Sequence, residues 1–240
     1  MKHDLKSDLD KIKNRGMALD DDVNLLRDKS LEKIVDCLNS DDPVIRTSAA
    51  VNLKPFSDNV CNELLHQLSR EKSLYTKIAI CEALQNGNID TAVKMTAYLG
   101  IIGNNQYKKL PKKVSLKKSY PLPRDIIART LSKMNINIFP VLLDVLKSDD
   151  LIKIHEVIDA IGFMVFYNQI LSNNDNLKCI IHLMDKYKDD KILIWKCLTC
   201  LSAFNLEKSK NILNTFIDNE ENILSLEAKR SLSILNKRTK

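Results

Sequence analysis

Glycine is nearly missing from this chain, with 5 residues in 240, where an average protein carries it at roughly 7 %. Sheet-rich folds need glycine at the positive-φ positions of tight turns, so a β-sandwich or barrel is not expected. Aromatic residues are scarce as well, at 5 %. Long apolar runs are lacking: the longest uncharged stretches, such as 160–167, fall far short of the about 20 apolar residues that cross a bilayer. Residues 1–10 alternate lysine and aspartate around no apolar core, so no secretory signal is expected. What the chain does hold is leucine, isoleucine, lysine, asparagine and aspartate. Apolar residues make up 44 %, enough to bury a core and too many for disorder. Six cysteines, at 37, 61, 81, 179, 197 and 200, fall inside apolar helical patterns. They read as reduced thiols of a cytoplasmic protein.

Charge is unevenly placed. The chain has 37 basic and 31 acidic side chains, for a net +6. One segment, 107–118, contains Lys108, Lys109, Lys112, Lys113, Lys117 and Lys118 and no acid. Without those six lysines the two signs balance, so the basic character belongs to one stretch and not to the whole surface.

Internal repetition organises the rest. The run Asp41-Asp42-Pro43…Arg46, followed by Ala49-Ala50…Leu53, reappears in outline at offsets of 31, 78, 108 and 148 residues. Offset 31 reaches Ile80 to Leu84; offset 78 reaches Pro121, Arg124, Ala128 and Leu131. Offsets 108 and 148 place the acidic pair at Asp149-Asp150 and Asp189-Asp190. Each copy reads as a second helix following a first, as in 31–38, 60–68 and 138–146, where apolar residues recur at i, i+3, i+4 and i+7. A two-helix unit of that length cannot bury both faces alone and must stack on neighbours. Aspartate at the turn suits an N-cap, and Pro43 and Pro121 suit a first helical turn. Pro140 is expected in the first turn of a helix starting near Asn137.

The acid–proline turn with arginine and the Ala-Ala…Leu run resemble the HEAT-repeat family in its PBS-lyase-like bacterial and archaeal form, over about 29–235. That resemblance implies an all-α fold, a right-handed α-α superhelix of about six helical pairs. Residues 1–28 then form an N-terminal capping region, and 29–240 one continuous solenoid with a lysine-rich insertion at 104–119. Ile154 and Ile194 stand where the family pattern has the arginine matched by Arg46. The fold implies no particular chemistry.

Candidate residues fall in two groups. Long insertions in repeat proteins mark one face, often the binding face, which nominates the six lysines together with Arg124 and Arg129. Leu110, Val114 and Leu116 are expected to dock the segment with its lysines outward. The second helices, by the offsets, present a stripe of Arg129, His155, Glu156, Asp159, Trp195 and Lys196. His155 and Asp159, at i and i+4, suit a surface pair, and an exposed Trp195 would suit a binding hot spot. Cys197 and Cys200 have redox spacing but lie in the middle of an apolar helix, so packing is the reading. No metal site or cofactor is expected, because no four-ligand set of cysteine and histidine appears. Deoxyhypusine hydroxylases, HEAT proteins with several His-Glu pairs around two irons, are set aside because His155-Glu156 is a single pair. Bilin lyases share the repeat type, but no chromophore motif is present. The expected function is a non-enzymatic scaffold for an acidic protein partner, and not for a membrane. The alternative is a nucleic-acid binder or a DNA-glycosylase-type HEAT enzyme using the lysines and Trp195.

Overall fold

A computed structural model describes residues 11–238. Residues 1–10, which include His3 and most of the expected capping helix, lie outside the described residues. Among the described residues there is no strand. The chain divides into two compact units, 1–95 and 96–240, each built of stacked helical pairs in the α-solenoid manner.

The first unit holds α1 (Asp20–Asn24), α2 (Leu31–Cys37), α3 (Pro43–Leu53), α4 (Cys61–Arg70), α5 (Leu74–Leu84) and most of α6 (Ile89–Thr96). Helix α3 starts as its sequence predicts: the Asp42 carboxylate accepts from the Val44 N–H at 2.8 Å, and Pro43 occupies the first turn. Its small residues Ala49 and Ala50 are fully buried, and α3 packs against α1, α2 and α5. Arg46 ties the turn together. Its guanidinium donates back to the Ser40 and Asp41 carbonyls and forward to both oxygens of Glu71. Burial pushes the Glu71 carboxyl up, but the bonds from Arg46, the Ser73 N–H and Gln67 outweigh it and hold the group at about 2.

The second unit continues with α7 (Ile126–Leu131), α8 (Phe139–Leu146), α9 (Leu151–Tyr167), α10 (Asn174–Lys186), α11 (Lys191–Leu201), α12 (Glu207–Thr215) and α13 (Asn222–Arg238). Second helices form one row, α7 on α9, α9 on α11 and α11 on α13, while α8, α10 and α12 back it. Asp150 and Asp190 cap α9 and α11, each accepting a backbone N–H of the first turn. Pro140 sits in the first turn of α8, after a 3-10 turn over Ile136–Ile138.

Cap positions check the repeat offsets. Counted from Asp42, offsets 31, 108 and 148 land on Ser73, Asp150 and Asp190, which are the N-caps of α5, α9 and α11. The offset of 78 is a mismatch and needs correction. Pro121 is not in a helix; α7 is capped four residues later by Asp125, whose carboxylate accepts from the Ala128 N–H at 2.8 Å. The true counterpart of Arg46 is therefore Arg129, not Arg124. Arg46 donates to the carbonyl six residues back, and Arg129 does the same to Pro123 at 2.8 Å.

Candidate functional site

Between α6 and α7 the chain runs without helix from 97 to 125, longer than the 104–119 insertion expected from sequence. This strap lies against the second helices of its own unit and is anchored at several points. At its start, Gln106 donates to the Ile102 carbonyl and to Asp125, the fully buried cap of α7, which also accepts from the Gly100 N–H. Next, the Tyr107 ring meets Trp195 edge-on, with centroids 4.8 Å apart. Arg124 closes over the same ring at 4.4 Å while its Nε donates to the Asn105 carbonyl. Further along, Arg230 on α13 donates to the carbonyls of Ser115, Lys117 and Ser119, the closest at 2.9 Å. Its other arm pairs with the buried Glu227 at 2.7 Å. At the far end Tyr120 is buried, with its hydroxyl over Gly162 in the middle of α9 and its ring beside Phe163 and Phe166. Burial holds that phenol well above its usual value.

Strap and helices enclose a cleft of about 260 Å³ lined by Tyr107, Lys113, Arg124, Asp159, Trp195 and Glu227, among others. Beneath it lies an ionic cluster. The Lys196 ammonium, fully buried, sits 3.0 Å from Asp159 and 3.1 Å from Glu156 and donates to the His155 carbonyl. Burial alone would lower the Lys196 value; attraction to Asp159 and Glu156 raises it instead. One ammonium faces two carboxylates, so the acids are under-compensated. Burial first, then the charges of Asp159 and Asp125, push Glu156 up to about 7 against the pull of Lys196. Burial first, then the charge of Asp125, raise Asp159 as well, again against the pull of Lys196.

The partner-binding stripe inferred from sequence is thus largely overturned. Glu156 and Lys196 are both buried, so neither reaches a partner. Trp195 is 8 % exposed, covered by Tyr107. His155 pairs with Asp190 at 2.7 Å, joining α9 to the cap of α11, and not with Asp159, which pairs with Lys196. Arg129 is exposed but its Nε is engaged by Pro123. The six lysines fare differently: Lys108, Lys109, Lys112, Lys113, Lys117 and Lys118 are all exposed. Leu110 and Val114 are half-buried as expected, whereas Leu116 is 98 % exposed and docks nothing. Sequence reasoning missed Glu227, Arg230 and the Tyr120–Gly162 contact. A glycine inside an apolar helix was the available signal for the last.

Cys197 and Cys200 are fully buried and burial raises both thiols, which leaves them inert at neutral pH. Among the described residues no three His, Cys, Asp or Glu side chains are grouped to hold a metal ion. A larger cleft of about 540 Å³ lies between α10 and α12, but its rim charges Lys191 and Glu221 already pair at 2.7 Å. Among the described residues no helix is long and apolar enough to cross a membrane.

No family model matches the chain, and no curated protein does. Among solved structures it is similar to two engineered proteins and a designed armadillo repeat protein. The engineered proteins are 16 % and 15 % identical, with TM-scores of 0.36 and 0.38; the alignments cover 87 % and 86 % of this chain and 99 % and 96 % of theirs. The armadillo design is 14 % identical with a TM-score of 0.35, over 86 % of this chain and all of its own length (100 %). Likenesses that distant carry no argument about activity, and the helical-repeat assignment stands on the stacked helices and their caps.

Proposed function

We propose that this protein is a non-enzymatic interaction scaffold of the HEAT-like kind, and that the lysines of its strap attract an acidic protein partner. The observation that carries this reading is that all six lysines are exposed while the backbone beneath them is tied to rigid helices. None of the six is in an ion pair with another described residue. A charge array fixed to a scaffold speeds encounter with an opposite charge without costing much order on binding. Six thiols not joined in disulfides accord with a cytoplasmic setting.

The geometry favours a protein over a nucleic acid. Base stacking needs open aromatic faces beside the cations. Here Tyr107 and Tyr120 turn inward, Trp195 is covered, and Arg230 is spent on carbonyls and Glu227. The carboxylates beneath the strap are engaged as well: Asp159 and Glu156 share Lys196, and Glu227 pairs with Arg230.

The test replaces Lys108, Lys109, Lys112 and Lys113 by serine and titrates a glutamate-rich peptide and a single-stranded oligonucleotide of equal charge. Folding should be nearly unchanged, because exposed charges add little stability. The acidic peptide should bind the parent chain, weaken with salt, and lose on-rate in the variant. Indifference of the peptide to both salt and substitution would refute the reading. Preferential binding of the oligonucleotide would transfer it to nucleic acid.

A further inference from the structure

The strap does more than present lysines; its inner side is itself seated like a bound peptide. It contains no helix from 97 to 125, and its contacts follow the pattern of peptide recognition on a helical scaffold. Arg230 grips three main-chain carbonyls at alternate residues, Ser115, Lys117 and Ser119. That grip reads backbone and is indifferent to side chains. Two aromatic anchors bracket it: Tyr107 against Trp195 at one end and Tyr120 in the notch left by Gly162 at the other. The notch fits only a missing side chain, since a Cβ on Gly162 would lie 1.9 Å from the Tyr120 hydroxyl oxygen. A plain connector between α6 and α7 needs none of these features.

We propose that the face of α9, α11 and α13 is a peptide-binding groove, occupied in this structure by the chain's own strap. Its partner in trans is a non-helical segment whose backbone carbonyls meet Arg230 and whose two tyrosines are spaced as Tyr107 and Tyr120 are. The strap is then a competing ligand in cis. Tethered ligands act at effective concentrations on the order of millimolar, so a free segment gains the groove only where the strap's anchors are weakened.

The probe is a synthetic peptide of residues 104–123, titrated calorimetrically into the full chain. Wild type should bind it weakly. A chain with Tyr107→Ala and Tyr120→Ala should bind it about a hundred-fold more tightly, as the cis competitor is lost. Adding Arg230→Ala to that chain should weaken binding about ten-fold or more, as should replacing both tyrosines of the peptide by alanine. Circular dichroism checks that each chain keeps its helix. Since Tyr120 is buried and its loss could unfold the unit, Tyr107→Ala with Arg124→Ala frees only the exposed end and should show the same ordering. A folded strap-weakened chain that ignores the peptide overturns the proposal. So does binding that survives loss of the peptide's tyrosines, which would reduce the contact to charge alone.

Discussion

Lys196 is an ammonium with no access to water, and its whole solvation shell is protein: two carboxylates and a carbonyl. Such a group is tolerated only when fully paired, because breaking one partner of a buried pair typically costs about 3–5 kcal/mol. Gly162 makes the complementary case, a residue placed for what it lacks. Glycine inside a helix forgoes up to ~1 kcal/mol relative to alanine, so Gly162→Ala would stabilise an isolated helix. Here the added methyl would strike the Tyr120 hydroxyl and ring, and overpacking of that kind costs ~1–3 kcal/mol. The expected outcome is a lower melting temperature and faster tryptic cleavage at the strap lysines as Tyr120 is expelled. A variant that melts higher and resists trypsin would show that Tyr120 does not fill the notch.

At the scale of the helix, the sequence was legible wherever a cap residue sat beside a short turn. Asp42, Ser73, Asp150 and Asp190 keep register with one another because the connections before them are brief. The register failed only at α7, where a long strap intervenes and Pro121, a proline in irregular chain, imitates the Pro43 signal. Site residues were less readable for a related reason. Periodicity says which residues share a face, but whether that face meets water depends on the strap, and nothing local to Trp195 or Lys196 announces that a segment from 107–120 lies over it. The register is sound at α3, which gives a direct check. Ala50 is fully buried where α3 meets its neighbours, so Ala50→Leu should cost roughly 1–3 kcal/mol. Chemical denaturation giving an unchanged midpoint would contradict that packing.

For the whole molecule, the two units carry opposite responses to acid. In the first, Glu71 is held at about 2 against an ordinary 4.5. A depressed acid adds stability above its unfolded value, and that stability is lost as pH falls from about 4.5 towards 2. In the second, Glu156 is raised to about 7. The folded form binds its proton more tightly than the unfolded chain, so stability is highest below about 4.5 and declines as pH climbs towards 7. At about 1.4 kcal/mol per unit, each shift amounts to as much as ~3 kcal/mol. Denaturant unfolding between pH 3 and 8 should therefore show Glu156→Gln flattening the decline from pH 4.5 to 7. Glu71→Gln should remove the steepening below 4.5. Wild-type slopes in both variants would mean that neither carboxyl is perturbed as its surroundings require.

The chain has a single tryptophan, and it lies under the strap against Tyr107. Light absorbed beyond the tyrosine band is thus absorbed at one place only, the spot where strap and helices meet. With the strap seated, the indole is shielded from water and its emission should lie to the blue; once Tyr107 lifts away, the same indole should emit to the red. The molecule carries its own optical gauge of whether the groove is shut, with no label added.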